Sequence, residues 1–317
     1  MVYSMNNLPT DILAEIFKYN FPVFNKFTHN VKLKYYHYKL SPEYSFLYYE
    51  KKISLPATYI YLNLENNENI INTSNLSNIH HLNLLACRGV TDVSPLKNCH
   101  YLDLSCCDNV KDFSMLGDVH TLYLFGLEQI TDVSYFSKVH TLCLSECMSI
   151  TDVSPLGNVH TLDLSNCRNV VDVSALGNVH DLALMGCIKI SDVSNLKNNH
   201  KLDLCGCVNV TDVSKLGNTH TLNLSGCNIT DVSALGGVHT LILEGCDKIE
   251  DVSALKNVNT LYLHGCTSIK NLHLLKDVPN LNIPGYDGTN LNSVKISSFS
   301  MFESSMFESI LIEDEDL

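Results

Sequence analysis

"VHTLDLSNCRNVVDVSALGN" (Val159 to Asn178) is one turn of a repeat that fills most of this 317-residue chain. Leu162 and Leu164 alternate with Thr161, Asp163 and Ser165. That period of two belongs to a short strand with one apolar face. Cys167, Val170, Val173 and Leu176 follow as further inward positions, and Asp172 sits where a carboxylate can accept backbone N–H bonds in a turn. His marks the period, at 80, 100, 120, 140, 160, 180, 200 and 220, then at 239. The spacing is twenty residues, with one residue missing in the rung that starts at His220. Ten clear rungs run from His80 to Val278, a degenerate one lies at 60–79, and a partial one begins at Pro279. A single rung cannot offset its own ordering entropy, so a short constant period predicts a solenoid in which neighbours cover one another.

The rung resembles the leucine-rich repeat, whose signature is L-x-x-L-x-L-x-x-N/C-x-L. Val159, Leu162, Leu164 and Cys167 occupy its first four anchors. "CMSITD" (Cys147 to Asp152) resembles the cysteine-containing subclass, and "CNITD" (Cys227 to Asp231) its form one residue shorter. "TDVSPLGN" (Thr151 to Asn158) is similar to the bacterial internalin class. The resemblance implies an α/β repeat: a leucine-rich-repeat solenoid with a parallel strand stack and short turns or 3-10 segments on the convex side.

The repeat creates three columns of like residues. The Cys column (87, 107, 147, 167, 187, 207, 227, 246, 266, with Leu127 in one rung) reads as small buried groups at a tight corner, because Leu serves there equally well. The His column reads as strand-start capping between rungs, and protonation of closely spaced imidazoles should be mutually unfavourable. The Asp column (92, 112, 132, 152, 172, 192, 212, 231, 251) reads as turn capping. No Ser-His-Asp set, phosphate loop or paired C-x-x-C zinc spacing stands outside the repeat. The expectation is no enzyme, no cofactor and no metal.

Function is then expected on the outward strand positions. Most are small or polar, but Leu85, Tyr101, Tyr123 and Phe125 lie on adjacent rungs, and Ile242, Tyr262 and His264 form a second group. Adjacent exposed aromatics are typical binding anchors. Asp103, Glu146, Asp203 and Glu244 lie among them, so a partner with some basic character is expected.

The ends do not repeat. In "LPTDILAEIF" (Leu8 to Phe17), Pro9 suits a first helical position, Asp11 falls in the first turn, and Ile12, Leu13, Ile16 and Phe17 share a face. Pro42 and Glu43 start a second helical pattern within residues 39–53. The opening resembles an F-box, L-P-x-D/E-x-L-x-x-I-F, although "VKLKYYHY" (Val31 to Tyr38) stands where that family has V-C-x-x-W. The resemblance implies that Leu8, Pro9, Ile12, Leu13, Ile16 and Phe17 dock on a Skp-type adaptor of a cullin-based ubiquitin ligase, with the repeats holding a target protein. The other reading is a helical cap over the first repeat. The expected organisation is therefore 1–55 small N-terminal helical F-box-like domain or cap, 56–298 solenoid of about twelve rungs, and 299–317 acidic, mobile tail.

Net charge is −13, with six acids and no base in 303–317. With no Lys/Arg cluster, nucleic acid is not an expected partner. No apolar run reaches the roughly 18 residues of a membrane span, and no secretory signal opens the chain. The thirteen Cys are then expected reduced, in the cytoplasm or nucleus of a eukaryotic or host cell. High Asn, Ile, Lys and Tyr usage with near-identical repeats fits an AT-rich, recently expanded gene such as a large DNA virus carries. The functional expectation is a non-catalytic substrate-recognition adaptor of a ubiquitin ligase. The alternatives are a plain interaction scaffold and an internalin-like adhesin.

Overall fold

Each rung is built the same way, and Val159–Asn178 shows how. Thr161–Asp163 is a strand, and Leu162 and Leu164 turn fully inward. Asn166 then takes φ 59°, the left-handed conformation that reverses the chain. The Cys167 N–H donates to the Leu164 carbonyl at 3.0 Å and the Val170 N–H to the Cys167 carbonyl at 3.1 Å. The Asp172 carboxylate accepts the Ser174 N–H at 2.8 Å and so starts the 3-10 segment Ser174–Asn178. Leu162, Leu164, Cys167, Val170, Val173, Leu176 and Val179 are all buried to within 1%. These are the seven inward positions that the repeat pattern predicts.

The computed structural model describes residues 3–4, 37–39, 45–46, 49–50, 53–54 and 59–284. They divide into two units, 1–129 with 138–140, and 130–137 with 141–317. The strands of the first unit are β1 (Tyr3–Ser4), β2 (His37–Lys39), β3 (Ile53–Ser54), β4 (Tyr59–Asn63), β5 (His81–Asn83), β6 (Tyr101–Asp103) and β7 (Thr121–Tyr123). β2, β4, β5, β6 and β7 stack in that order as parallel neighbours, while β1 pairs with β3. The second unit holds β8 (Thr141–Cys143), β9 (Thr161–Asp163), β10 (Asp181–Ala183), β11 (Lys201–Asp203), β12 (Thr221–Asn223), β13 (Thr240–Ile242), β14 (Thr260–Tyr262) and β15 (Asn280–Asn282), again parallel and in chain order. Short 3-10 segments lie between most strands, so the repeat region is a leucine-rich-repeat solenoid.

Register is exact across the short rung: Leu222 faces Leu241, one residue early in sequence. The missing residue is absorbed in the turn after Cys227, where Ile229 still reaches the core. The sheet begins earlier than residue 56. His37–Lys39 pairs with Tyr59–Tyr61, although "HYK" lacks the L-x-L signature. A helical turn at Ser45, Phe46 and Tyr49, with the Glu50 N–H donating to the Phe46 carbonyl at 2.9 Å, agrees with the second helical pattern. The buried Ser45 hydroxyl accepts the Asn63 N–H at 3.0 Å, which ties this turn to the first rung. The stretch Leu8–Phe17 and the acidic tail lie outside the described residues.

Candidate functional site

The buried Cys column offers no reactive thiol. The thiols of Cys87, Cys107 and the column from Cys167 to Cys266 each donate to the Leu carbonyl of the preceding rung; Cys167 Sγ lies 3.1 Å from the Leu144 oxygen. Burial pushes these thiols up, Cys87 to about 11 and Cys107 to about 12, which leaves no thiolate at neutral pH. The Asp column caps turns as expected: every carboxylate from Asp92 to Asp251 accepts the N–H of the Ser two residues on at 2.8–2.9 Å. Those bonds hold its carboxyls below the usual range. The His column differs in detail from the expectation. The links between rungs are main-chain, as when the His100 N–H donates to the His80 carbonyl at 2.8 Å. The imidazoles stack on one another instead, and ring nitrogens of His120, His160 and His239 face the following Thr hydroxyl at 3.2–3.3 Å.

The outward strand positions of the first unit form an aromatic row. Tyr61 and His81 lie 4.4 Å apart by ring centroid, His81 and Tyr101 3.8 Å, and Tyr101 and Tyr123 5.4 Å. Because parallel register sets these rings side by side, His81 and Tyr101 meet face to face, within 4° of parallel. A stacked row turns ring edges and polar tips outward, and its faces are already occupied. Phe125, two residues beyond Tyr123, is exposed at 36%, and Leu85 is half-buried. Glu65 and Asp103 flank the row; Glu65 accepts the Asn83 side-chain amide at 3.1 Å. Burial raises the Asp103 carboxyl. Sequence reading placed Leu85, Tyr101, Tyr123 and Phe125 here but missed Tyr61 and His81. Following the first outward strand column through the degenerate rung would have found both.

The second group is less open than the sequence implies. Ile242 is only 8% exposed, in register between Asn223 and Tyr262. Tyr262 and His264 are half-buried, as is Glu244, whose carboxyl is raised by burial and lowered again in part by His264. Asp203, read as an outward acid, is 2% exposed between Ala183 and Asn223. Desolvation pushes its carboxyl up to about 7 despite the Cys205 N–H at 2.8 Å. Among the described residues one set of donors has metal-ligand character: His180, Asp181 and His200, with ligand atoms within 4.8 Å of one another. No helix among the described residues is long and apolar enough to cross a membrane.

No protein-family model matches the chain. No curated protein matches it either. Solved structures do. An internalin from Listeria monocytogenes is similar at TM-score 0.51 and 20% identity, over 73% of each chain. A leucine-rich-repeat protein of Leptospira interrogans is similar at TM-score 0.43 and 16% identity, over 77% of this chain and 74% of its own. At these identities the internalin likeness speaks for the repeat fold alone.

Proposed function

We propose that the chain is a non-catalytic scaffold that holds a protein partner on the outward strand face of its first unit. The observation that carries this reading is the stacked row Tyr61–His81–Tyr101–Tyr123, ending beside exposed Phe125. Rings that already brace one another lose little freedom when a partner docks, so their contact area converts efficiently into affinity. Glu65 and Asp103 beside the row favour a partner segment carrying Lys or Arg. Changing Tyr123 and Phe125 together to Ser should weaken partner binding at least tenfold and leave the fold intact; unchanged binding would discard this face.

The finer reading is that of a substrate-recognition adaptor for a Skp-cullin ubiquitin ligase. "LPTDILAEIF" supports it, with Leu8, Pro9, Ile12, Leu13, Ile16 and Phe17 as the adaptor-binding residues. Co-precipitation with a eukaryotic Skp adaptor tests it. Wild type should bind and a Leu8→Asp/Ile12→Asp variant should not, with the repeats still folded. A wild-type chain that fails to bind would leave the segment as a cap and the protein as a scaffold or an adhesin.

A further inference from the structure

The imidazole columns break their own pattern at one place. In the first unit His80, His100, His120 and His140 stack at 4.4–4.8 Å between ring centroids. In the second, His160, His180, His200, His220 and His239 stack at 4.5–4.7 Å. The residue after each His is aromatic or Thr in every rung but two, where it is Asp181 and Lys201. Asp181 is the sole carboxylate at that position. It brings an anionic oxygen to within 2.8 Å of His180 Nδ1, in the place where other rungs put a hydroxyl.

We propose that His180, Asp181 and His200 form a site for one divalent first-row transition-metal ion of the nickel, zinc or copper class. Two imidazoles and one carboxylate suit such ions, whereas calcium and magnesium prefer all-oxygen sets. Metal–ligand bonds of about 2.1 Å require donors roughly 3.4 Å apart. The three donors now lie within 4.8 Å. Closing that gap requires the two stacked rings to shift by about 1 Å toward Asp181. His180 has 45% of its side chain accessible, and its ring is held between those of His160 and His200, so it moves toward an ion only by tilting within the stack. The His180 and His200 planes differ by 15°, so their in-plane lone pairs run nearly parallel, and holding one ion requires the two rings to tilt toward it, with water completing its shell. Lys201 is the competitor: its ammonium lies 3.5 Å from Asp181 Oδ2 and occupies the second carboxylate oxygen. The ion and the ammonium exclude one another, which sets the sign of each substitution.

Titration of the full chain with nickel(II) by calorimetry at pH 7.5, in a buffer that does not bind metal, tests this. Asp181→Thr and Lys201→Thr are the variants, because Thr already holds the position in neighbouring rungs and the fold tolerates it. Wild type should take up one ion per chain. Asp181→Thr should bind at least tenfold more weakly, and Lys201→Thr severalfold more tightly. No uptake by wild type, unaltered affinity in Asp181→Thr, or weaker binding in Lys201→Thr would each overturn the proposal.

Discussion

The two units bury the same columns and dress their outward faces differently. In the first, the outward positions carry Tyr61, His81, Leu85, Tyr101, Tyr123 and Phe125. In the second they carry mainly Thr, Ser, Asn and Asp. The left-handed position that ends each strand follows a similar drift. It is Asn66, Ala86 and Cys106 in the first unit, with Gly at 126, and the second unit opens with Glu146 and Asn166, all five non-Gly residues at φ of 56–60°. From Gly186 to Gly265 it is always Gly. Gly is the unstrained choice at positive φ, so Ala86 and Cys106 hold a conformation that costs roughly 1 kcal/mol each. The comparison separates two demands on one repeat: inward residues specify the stack, and outward residues are free to diverge.

That separation can be tested from its strongest consequence downward. Leu102→Ala in the first unit and Leu182→Ala in the second remove equally buried side chains. Each should lower stability by about 2–5 kcal/mol, and chemical denaturation of both should show the same loss if the inward columns are equivalent. Next comes Asp203. A buried carboxyl whose folded value is raised to about 7 gives stability that is present below its ordinary 3.8 and lost as pH rises through 7. Asp203→Asn should therefore stabilise by roughly 2–4 kcal/mol at pH 8 and give no gain near pH 3.5. The same variant exposes the opposite trend of the imidazoles. Burial, with His180 and His220 beside it, lowers His200 below 6.5, so its contribution is present above that value and lost as pH falls. Asp203→Asn should melt lower at pH 5.5 than at 7.5; equal melting temperatures would remove imidazole repulsion from the account.

Smaller effects sharpen the contrast further. Thr219 stands in a column that is Val in seven rungs, from Val119 to Val278, and Asn199 in the preceding one, and its buried hydroxyl has no hydrogen-bond partner. Thr219→Val should stabilise by about 1 kcal/mol in thermal denaturation, because the desolvated hydroxyl leaves without a lost bond. At the left-handed position, a rung with Gly and a rung without it should respond with opposite signs. A Cβ on Gly206 would meet its nearest neighbour at an ordinary 3.7 Å, so Gly206→Ala meets conformational strain alone and should cost about 1 kcal/mol. Ala86→Gly should gain a few tenths. A gain in both, or a loss in both, would show that positive φ is not what sets the residue in this column.

The inward half of this molecule was legible from Val159–Asn178 alone, because period and burial are tied by strand geometry. Even the short rung was readable, since a turn can lose a residue without disturbing Leu222 against Leu241. The outward half was less so. Outward does not mean exposed where side chains on parallel neighbours stand one strand spacing apart: Asn223 and Tyr262 close over Ile242, and Ala183 and Asn223 over Asp203. The strand at His37–Lys39 escaped the repeat pattern because its pairing to Tyr59–Tyr61 is carried by main-chain bonds and needs no leucine signature. The aromatic row was half visible, since Tyr101 and Tyr123 announce themselves, while Tyr61 and His81 gain meaning only through the register that stacks them.

The central claim is that partner capture belongs to the first unit's outward face. Quantitative affinity purification from a cell lysate would compare wild type, Tyr123→Ser/Phe125→Ser and Tyr262→Ser, all with unchanged melting temperatures. The account predicts that proteins recovered by wild type and by Tyr262→Ser are lost from Tyr123→Ser/Phe125→Ser. Recovery of the same proteins by all three chains would contradict it.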